Sequence, residues 1–166
     1  MSGGEVSPPR VDGIEKDYEV QEFLGQGGFA MVYKGTRRRD NLPVALKYCD
    51  KTKQRESAME LLRKEYDLLR GFSHPNILKT HGFLESSDGI VVVLEYCRGG
   101  DLAKFVRERG SPSGPDASYL LDVRMIVTGI LKGLNFIHSK CDAIHRDLKP
   151  RSFFVTRKHF VGKRFQ

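Results

Sequence analysis

HRDLKP, residues 145–150, places a carboxylate, a cation and a proline-stiffened turn within six residues. It follows residues 119–138, whose apolar side chains cover most faces of a predicted helix. A helix with that composition must be buried nearly all round. Any one of the six residues would be ordinary in a surface loop, but their combination directly after a buried helix indicates a functional segment.

Upstream of this segment, a glycine-rich turn runs from Gly25 to Ala30, between predicted strands at residues 18–25 and 31–36. Glycines in such a hairpin let backbone N–H groups approach phosphate oxygens without a Cβ in the way. The turn does not open a helix, which disfavours a dinucleotide-binding fingerprint. For the turn alone, a flexible hairpin is an equally good explanation.

The third predicted strand, residues 43–49, carries a candidate phosphate-binding lysine. Strand side chains alternate between the two faces of a sheet, so Ala45 and Lys47 point to one face and Val44 and Leu46 to the other. A lysine beside the glycine turn could hold a phosphate and would need a counter-charge. The predicted helix at 54–70 offers Glu60 and Glu65. Taken alone, Lys47 is more often a solvated strand lysine.

Further elements complete a recognisable order. Strands are predicted at 77–83 and 90–96, and a short helix at 102–109 with Asp101 as its cap. A loop at 110–118 precedes the long helix. The order β-β-β-α-β-β, then a linker, then mostly helix predicts an α+β fold with a small lobe joined to a helical lobe.

The motifs and their order resemble the eukaryotic protein kinase family, Ser/Thr type, across residues 18–156. The resemblance implies a five-stranded small lobe with one helix and an incomplete, mainly helical large lobe. Within the family, the sequence loosely resembles NIMA-related, autophagy-initiating and polo-type kinases alike. The implied organisation is a flexible lead-in at 1–17, a small lobe at 18–96, a partial large lobe at 97–156 and a basic tail at 157–166.

The resemblance also implies how ATP is held. Phosphates would meet the glycine turn and Lys47, adenine would lie among apolar side chains and the backbone between the lobes, and the ribose would meet one carboxylate. The implied residues, in that order, are Gly25, Gly27, Gly28 and Lys47; Val32, Ala45, Leu94, Glu95, Cys97 and Phe154; and Asp101.

For catalysis, the resemblance identifies Asp147 as the base that orients the substrate hydroxyl, and Lys149 as a cation on the γ-phosphate. Glu65 matches the helix partner of Lys47, with Glu60 as the second candidate. That ion pair must form for the phosphates to be placed correctly.

The sequence departs from the family at both magnesium ligands. Ser152 stands where the family has Asn, and a neutral hydroxyl is a weaker ligand. The D-F-G motif is expected near residue 165, where the chain reads Lys163-Arg164-Phe165-Gln166, and no acidic residue follows Asp147. ATP and Mg²⁺ are the expected cofactors, and with these ligands missing we expect little or no turnover.

Three functions remain open. The first is an ATP-dependent Ser/Thr protein kinase acting on protein hydroxyls, impaired by these departures. The second is a non-catalytic nucleotide-binding or scaffolding module, in which a partner could cover the exposed face of the long helix. The third is nucleic-acid binding through residues 151–166. This segment has five basic residues and no acidic ones, and it accounts for most of the net charge of +7. Phe153-Phe154-Val155-Thr156 more simply predicts a short strand.

Composition excludes several other classes. With 39% hydrophobic and 30% charged residues, the 166-residue chain is not of a disordered type. Its three cysteines form no C-x-x-C pair, which argues against a zinc site or a disulfide framework. The longest aliphatic run, Ile90 to Leu94, is too short to cross a membrane. We expect a cytoplasmic or nuclear protein that is neither secreted nor membrane-spanning.

Overall fold

The computed structural model describes residues 12–110, 112, 114, 116–140 and 148–156, and the backbone of 160–162. These residues fall into two compact units. The first contains the chain up to Gly71 and the segment Lys79–Tyr96, and the second contains Phe72–Leu78 and the chain from Cys97 onward. Residues 72–78, which the sequence places in the small lobe, therefore group with the second unit.

A five-stranded antiparallel sheet forms the first unit, as predicted. Its order is β1-β2-β3-β5-β4, and β5, which lies between β3 and β4, is buried along almost its whole length. The strands are β1 (Tyr18–Gln26), β2 (Met31–Arg37), β3 (Leu42–Asp50), β4 (Thr80–Glu85) and β5 (Gly89–Glu95).

One face of this sheet carries a hydrophobic core that includes a helix from the predicted lead-in. Helix α1, Ile14–Asp17, follows Gly13, whose φ of 88° suits glycine. The side chain of Ile14 is fully buried, so residues 14–17 belong to the folded unit rather than to a flexible segment. The core consists of Ile14, Tyr18, Tyr33, Val44, Leu46, Tyr48, Val91 and Val93.

Helix α2, Glu56–Leu69, contributes Met59, Leu62 and Leu69 as buried apolar residues. Their spacing of three and seven positions places them on one side of the helix. The predicted helix at 54–70 is thus confirmed, with its first turn beginning two residues later.

The fourth strand begins at Thr80, three residues later than the predicted 77–83. The segment before it is a turn, in which the backbone N–H of Ile77 donates to the carbonyl of His74 at 3.1 Å. The backbone N–H of Asn76 also donates to the His74 ring nitrogen Nδ1 at 3.1 Å. Ile77 and Leu78 are buried although they lie outside the strand, and this burial is what imitates a strand pattern in the sequence.

The second unit contains helices α3 (Leu102–Arg109) and α4 (Ala117–Lys140), a 3₁₀ turn at Pro150–Ser152, and strands β6 (Phe153–Val155) and β7 (Phe160–Gly162). The predicted strand after the catalytic loop is β6. Strand β7 pairs with it antiparallel, within the segment that composition predicts to be a basic tail. Leu102 and Phe153 form the buried centre of this unit.

Helix α4 is buried along only part of its surface. Gly129, Gly133 and Ile137 are its buried residues, and a Cβ on Gly133 would lie 2.9 Å from the carbonyl oxygen of Asn76. Its exposed apolar side chains are Leu120, Leu121, Val123, Met125, Val127 and Leu131. Among the described helices, none is long and apolar enough to cross a membrane.

Candidate functional site

The register of the sheet brings the predicted nucleotide-binding residues of the first unit to one face. Val32 pairs with Lys47, and Lys47 pairs in turn with Val92. Two residues further along each strand, Ala45 pairs with Leu94. Directly paired residues of an antiparallel sheet share a face. This face is opposite to the hydrophobic core, because Leu46 and Val93 lie in that core.

Lys47 and Glu65 form a buried ion pair on this face. The Nζ of Lys47 donates a hydrogen bond to Oε2 of Glu65, which α2 places over the sheet. Only 2% and 9% of the two side chains are exposed. Glu60, the second candidate, is exposed. The pairing of Lys47 with Glu65 is therefore present in the fold, while the role of both residues in binding ATP stays a prediction.

The glycine turn leaves open space above its backbone. A Cβ added at Gly25 or Gly28 would meet no atom within 4 Å, so packing does not require glycine at either position. Gly25 has a φ of 157°, which L side chains rarely adopt. The backbone N–H of Gly27 donates to the carbonyl of Ala30 at 2.7 Å and closes the turn. Open space beside backbone N–H groups is what a phosphate would need.

The tip of the turn is attached to β3 through a residue that sequence reasoning missed. The Sγ of Cys49 donates a hydrogen bond to the carbonyl oxygen of Phe29 at 3.3 Å. The Phe29 ring lies 6.0 Å from the Nζ of Lys47, within range of a cation–π attraction. Burial raises the pKa of the Cys49 thiol. The only available signal was that Cys49 follows Lys47 by two positions and so shares its face.

Leu94 and Glu95 end the fifth strand. The side chain of Leu94 is 2% exposed, and it lies on the same face as Ala45. The backbone N–H of Glu95 donates to the carbonyl of Lys79 at 2.9 Å. The Nζ of Lys34 lies over the ring of the next residue, Tyr96, at 5.6 Å from the ring centroid.

In the second unit, Asp101 and Phe154 are neighbours in an isolated antiparallel bridge. Asp101 also caps α3, because its Oδ1 accepts a hydrogen bond from the backbone N–H of Lys104 at 2.8 Å. The predicted cap is thus confirmed, whereas the predicted ribose contact stays a prediction. The carbonyl of Cys97 accepts from the N–H of Gly100 at 3.1 Å, and Cys97 is buried.

The predicted catalytic loop is described only in part. Asp147 lies outside the described residues, as do His145 and Arg146. Lys149 is exposed, and its carbonyl accepts from the backbone N–H of Ser152 at 2.8 Å.

The described residues do not supply a magnesium site. Ser152 is 3% exposed and lies in the 3₁₀ turn rather than in an open cluster of oxygen ligands. Within the described part of the chain, no group of three or more His, Cys, Asp or Glu side chains lies close enough to hold a metal ion.

Comparison with known proteins gives one family. The family model described as protein kinase domain matches residues 18–162. The chain is 32% identical to myosin light chain kinase A of Dictyostelium discoideum over 145 residues, which are 87% of this chain and 47% of that protein. It is 32% identical to human serine/threonine-protein kinase ULK3 over 157 residues, which are 94% of this chain and 31% of that protein.

A plant relative gives the same result. Serine/threonine-protein kinase ATG1a of Arabidopsis thaliana is 33% identical over 142 residues, which are 86% of this chain and 22% of that protein. The chain thus spans between about a fifth and a half of the length of these curated relatives.

Proposed function

The chain belongs to the protein kinase family, and on that premise we propose that its first unit binds ATP and that Asp147 directs the γ-phosphoryl group to Ser or Thr hydroxyls of a protein. One observation carries the nucleotide-binding half: the buried Lys47–Glu65 pair lies on the same sheet face as Val32, Ala45 and Leu94. A buried cation beside an apolar surface suits a ligand with a phosphate chain and a flat base.

Charge and space support placing phosphates beside Lys47. Burial in a low-dielectric surrounding strengthens the interaction of its ammonium group with an anion. Glu65 holds that ammonium group in one orientation before the ligand arrives. The glycine turn offers open backbone at Gly25 and Gly28, where phosphate oxygens could accept hydrogen bonds.

Apolar side chains on the same face support placing adenine beside Ala45 and Leu94. Leu94 is buried and stands directly across from Ala45, which is small enough to leave room for a flat ring. The family resemblance adds the backbone of Glu95 and Cys97, the Asp101 carboxylate and the Phe154 ring as further contacts of the nucleotide.

In the transfer step, the Asp147 carboxylate would orient the attacking hydroxyl and accept its proton as the new O–P bond forms. The bond between the γ-phosphorus and the β,γ-bridging oxygen would break at the same time, with ADP as the leaving group. Lys149 would neutralise charge that develops on the transferred group. Ser152 in place of the family's Asn predicts slow transfer, because the hydroxyl is a poorer ligand for the metal that accompanies ATP in this family.

The second candidate function is nucleotide binding without transfer, in a scaffolding role. It is favoured by Ser152, which stands where the family has Asn. Both functions need the first unit to bind nucleotide, and they differ only in whether a phosphoryl group is then transferred.

Binding is tested by calorimetric titration of the 166-residue chain with ATP. We expect saturable binding that Lys47→Met weakens at least about tenfold, because a charge-assisted contact is worth at least about 1.4 kcal/mol. Lys53→Met removes an exposed lysine and serves as the matched control. Equal affinity of the wild type and Lys47→Met would contradict the proposal.

Transfer is tested with ATP labelled at the γ-phosphate and a Ser/Thr-rich protein. Label on Ser or Thr that disappears in Asp147→Asn, with ATP affinity unchanged, supports the kinase. ATP binding with no label transferred by the wild type supports the scaffolding alternative.

A further inference from the structure

Arg63 connects helix α2 to the edge of the sheet. Its Nη2 lies 2.5 Å from Oε1 of Glu85, and its Nε donates to Oε2 of the same carboxylate at 3.1 Å. Its Nη1 donates to Glu56 at 2.6 Å, at the start of the same helix. Two parallel hydrogen bonds between a guanidinium and a carboxylate fix direction as well as distance. The contact therefore defines an orientation of α2 and not only its proximity to β4.

A second cation contacts the same carboxylate oxygen of Glu85 as the Nη2 of Arg63. The Nζ of Lys51 lies 2.7 Å from Oε1 of Glu85 and also donates to the carbonyl of Ser86 at 2.6 Å. Lys51 belongs to the segment between β3 and α2. Glu85, at the end of β4, therefore contacts both Lys51, in the segment before α2, and Arg63, in the middle of α2. Hydrogen bonding from Arg63, and next from Lys51, lowers the pKa of Glu85.

The two ionic contacts of α2 leave the helix in different directions. Arg63 and Glu65 are two positions apart, and each helical residue turns by about 100°, so their side chains point about 200° apart around the axis. Glu65 reaches Lys47 in β3 while Arg63 reaches Glu85 in β4. Because the two side chains lie on opposite sides of the helix, rotation of the helix about its axis in either direction would displace both of them from their partners' present positions. The ring of Tyr66 against that of Phe83, at 4.7 Å, adds a third contact to the same strand.

We propose that Arg63 and Glu85 are positioning residues that set the rotation of α2 and thereby hold Glu65 on Lys47. The inference rests on the proposed function for its meaning, because the pair is useful only if Lys47 meets phosphate. Neither Arg63 nor Glu85 is assigned a contact with the nucleotide. Their effect on binding passes through Glu65.

The first test needs no nucleotide. The reactivity of the Lys47 amine towards reductive methylation is measured by mass spectrometry in the folded 166-residue chain. We expect slow labelling in the wild type, because the amine is buried and paired, and faster labelling in Glu65→Gln. Arg63→Ala should move Lys47 labelling most of the way to the Glu65→Gln rate.

Arg70→Ala is the matched control, since it removes the exposed Arg70–Asp67 pair from the same helix and should leave the labelling rate unchanged. Glu85→Gln breaks the contact from the opposite side and replaces Arg63→Ala if that variant is unstable. Wild-type labelling of Lys47 in both Arg63→Ala and Glu85→Gln would overturn the inference.

The second test measures the affinity for a fluorescent ATP analogue. We expect Arg63→Ala to weaken binding about threefold to tenfold, which lies within the range of coupling between groups in one network. Arg63→Ala added to Glu65→Gln should cause no further loss. Independent, additive losses would overturn the positioning role. If the wild type binds no nucleotide, the proposed function fails, and the labelling series still decides whether Arg63 positions Glu65.

Discussion

The thiol of Cys49 donates a hydrogen bond to the carbonyl oxygen of Phe29 and thereby joins β3 to the tip of the glycine turn. The tip is thus attached to the strand that carries Lys47. Attachment through a weak donor leaves the tip able to lift, since S–H is among the weaker hydrogen-bond donors in proteins.

We expect Cys49 to resist alkylation in the folded chain. The thiolate is the reactive form, and burial both raises the pKa of this thiol and blocks access to it. Timed labelling with iodoacetamide at neutral pH, followed by peptide mass spectrometry, should leave Cys49 largely unmodified until urea unfolds the protein. Native labelling at the rate of a free cysteine would contradict the buried position.

The Lys47–Glu65 pair should be costly to break from one side. Lys47→Met leaves the Glu65 carboxylate buried without its cation, and we expect the free energy of unfolding to fall by about 3–5 kcal/mol. The double variant Lys47→Met/Glu65→Met removes both charges and should recover most of that loss. Urea unfolding measures both. A double variant no more stable than the single one would show that burial of the charge is not the cause.

The fold could be predicted largely because its signals are local. Alternation along β3 placed Lys47 and Ala45 on one face, and helical periodicity placed α2 with Glu60 and Glu65 as candidate partners. The family resemblance then favoured Glu65. The missed parts depend on contacts that have no local pattern. Arg63 and Glu85 are 22 residues apart, and nothing in either segment indicates that they meet.

Other errors have the same origin. Ile14 is one aliphatic residue in a polar segment, and its burial depends on the sheet that covers it. Composition near the chain end favoured a solvated tail, whereas backbone pairing with β6 makes Phe160–Gly162 a strand. Tertiary context decides both positions.

Glu85 should make stability depend on pH in the acid range. Hydrogen bonding from Arg63 lowers the pKa of this carboxyl from 4.5 to about 2. A pKa that is lower in the folded state stabilises the protein above the unfolded value and loses that contribution as pH falls through the folded value. The stability difference between the wild type and Glu85→Gln should therefore be full above pH 4.5 and shrink towards pH 2. Urea midpoints from pH 6 to 3 measure it, and a constant difference would contradict the pairing.

Alanine at Gly133 should lower stability, whereas alanine at Gly28 should leave it unchanged. At Gly133 a Cβ would lie 2.9 Å from the backbone carbonyl of Asn76, which cannot move as a flexible side chain would. Overpacking usually costs about 1–3 kcal/mol, and alanine regains about 1 kcal/mol in helix propensity. We therefore expect Gly133→Ala to lower the free energy of unfolding by up to about 2 kcal/mol.

Gly28→Ala meets no atom and should leave stability unchanged. If phosphates approach the backbone there, the same substitution should weaken ATP binding. Thermal unfolding and nucleotide titration of both variants separate the two effects. A destabilised Gly28→Ala would contradict the open turn.

Thr80 offers a stabilising substitution. Its Oγ1 is buried and has no hydrogen-bond partner among the described residues. A buried hydroxyl without a partner has lost its hydration and gained nothing in return. Valine has nearly the same shape and suits a strand, so we expect Thr80→Val to raise the free energy of unfolding by about 1 kcal/mol.

The matched control is Thr52→Val, because the hydroxyl of Thr52 donates to Asp50 at 2.6 Å. That variant loses a hydrogen bond and should be less stable than the wild type. Urea unfolding of both variants under the same conditions decides the point. If Thr80→Val is also less stable, the Thr80 hydroxyl makes a stabilising hydrogen bond in solution, and the gain expected from removing it does not exist.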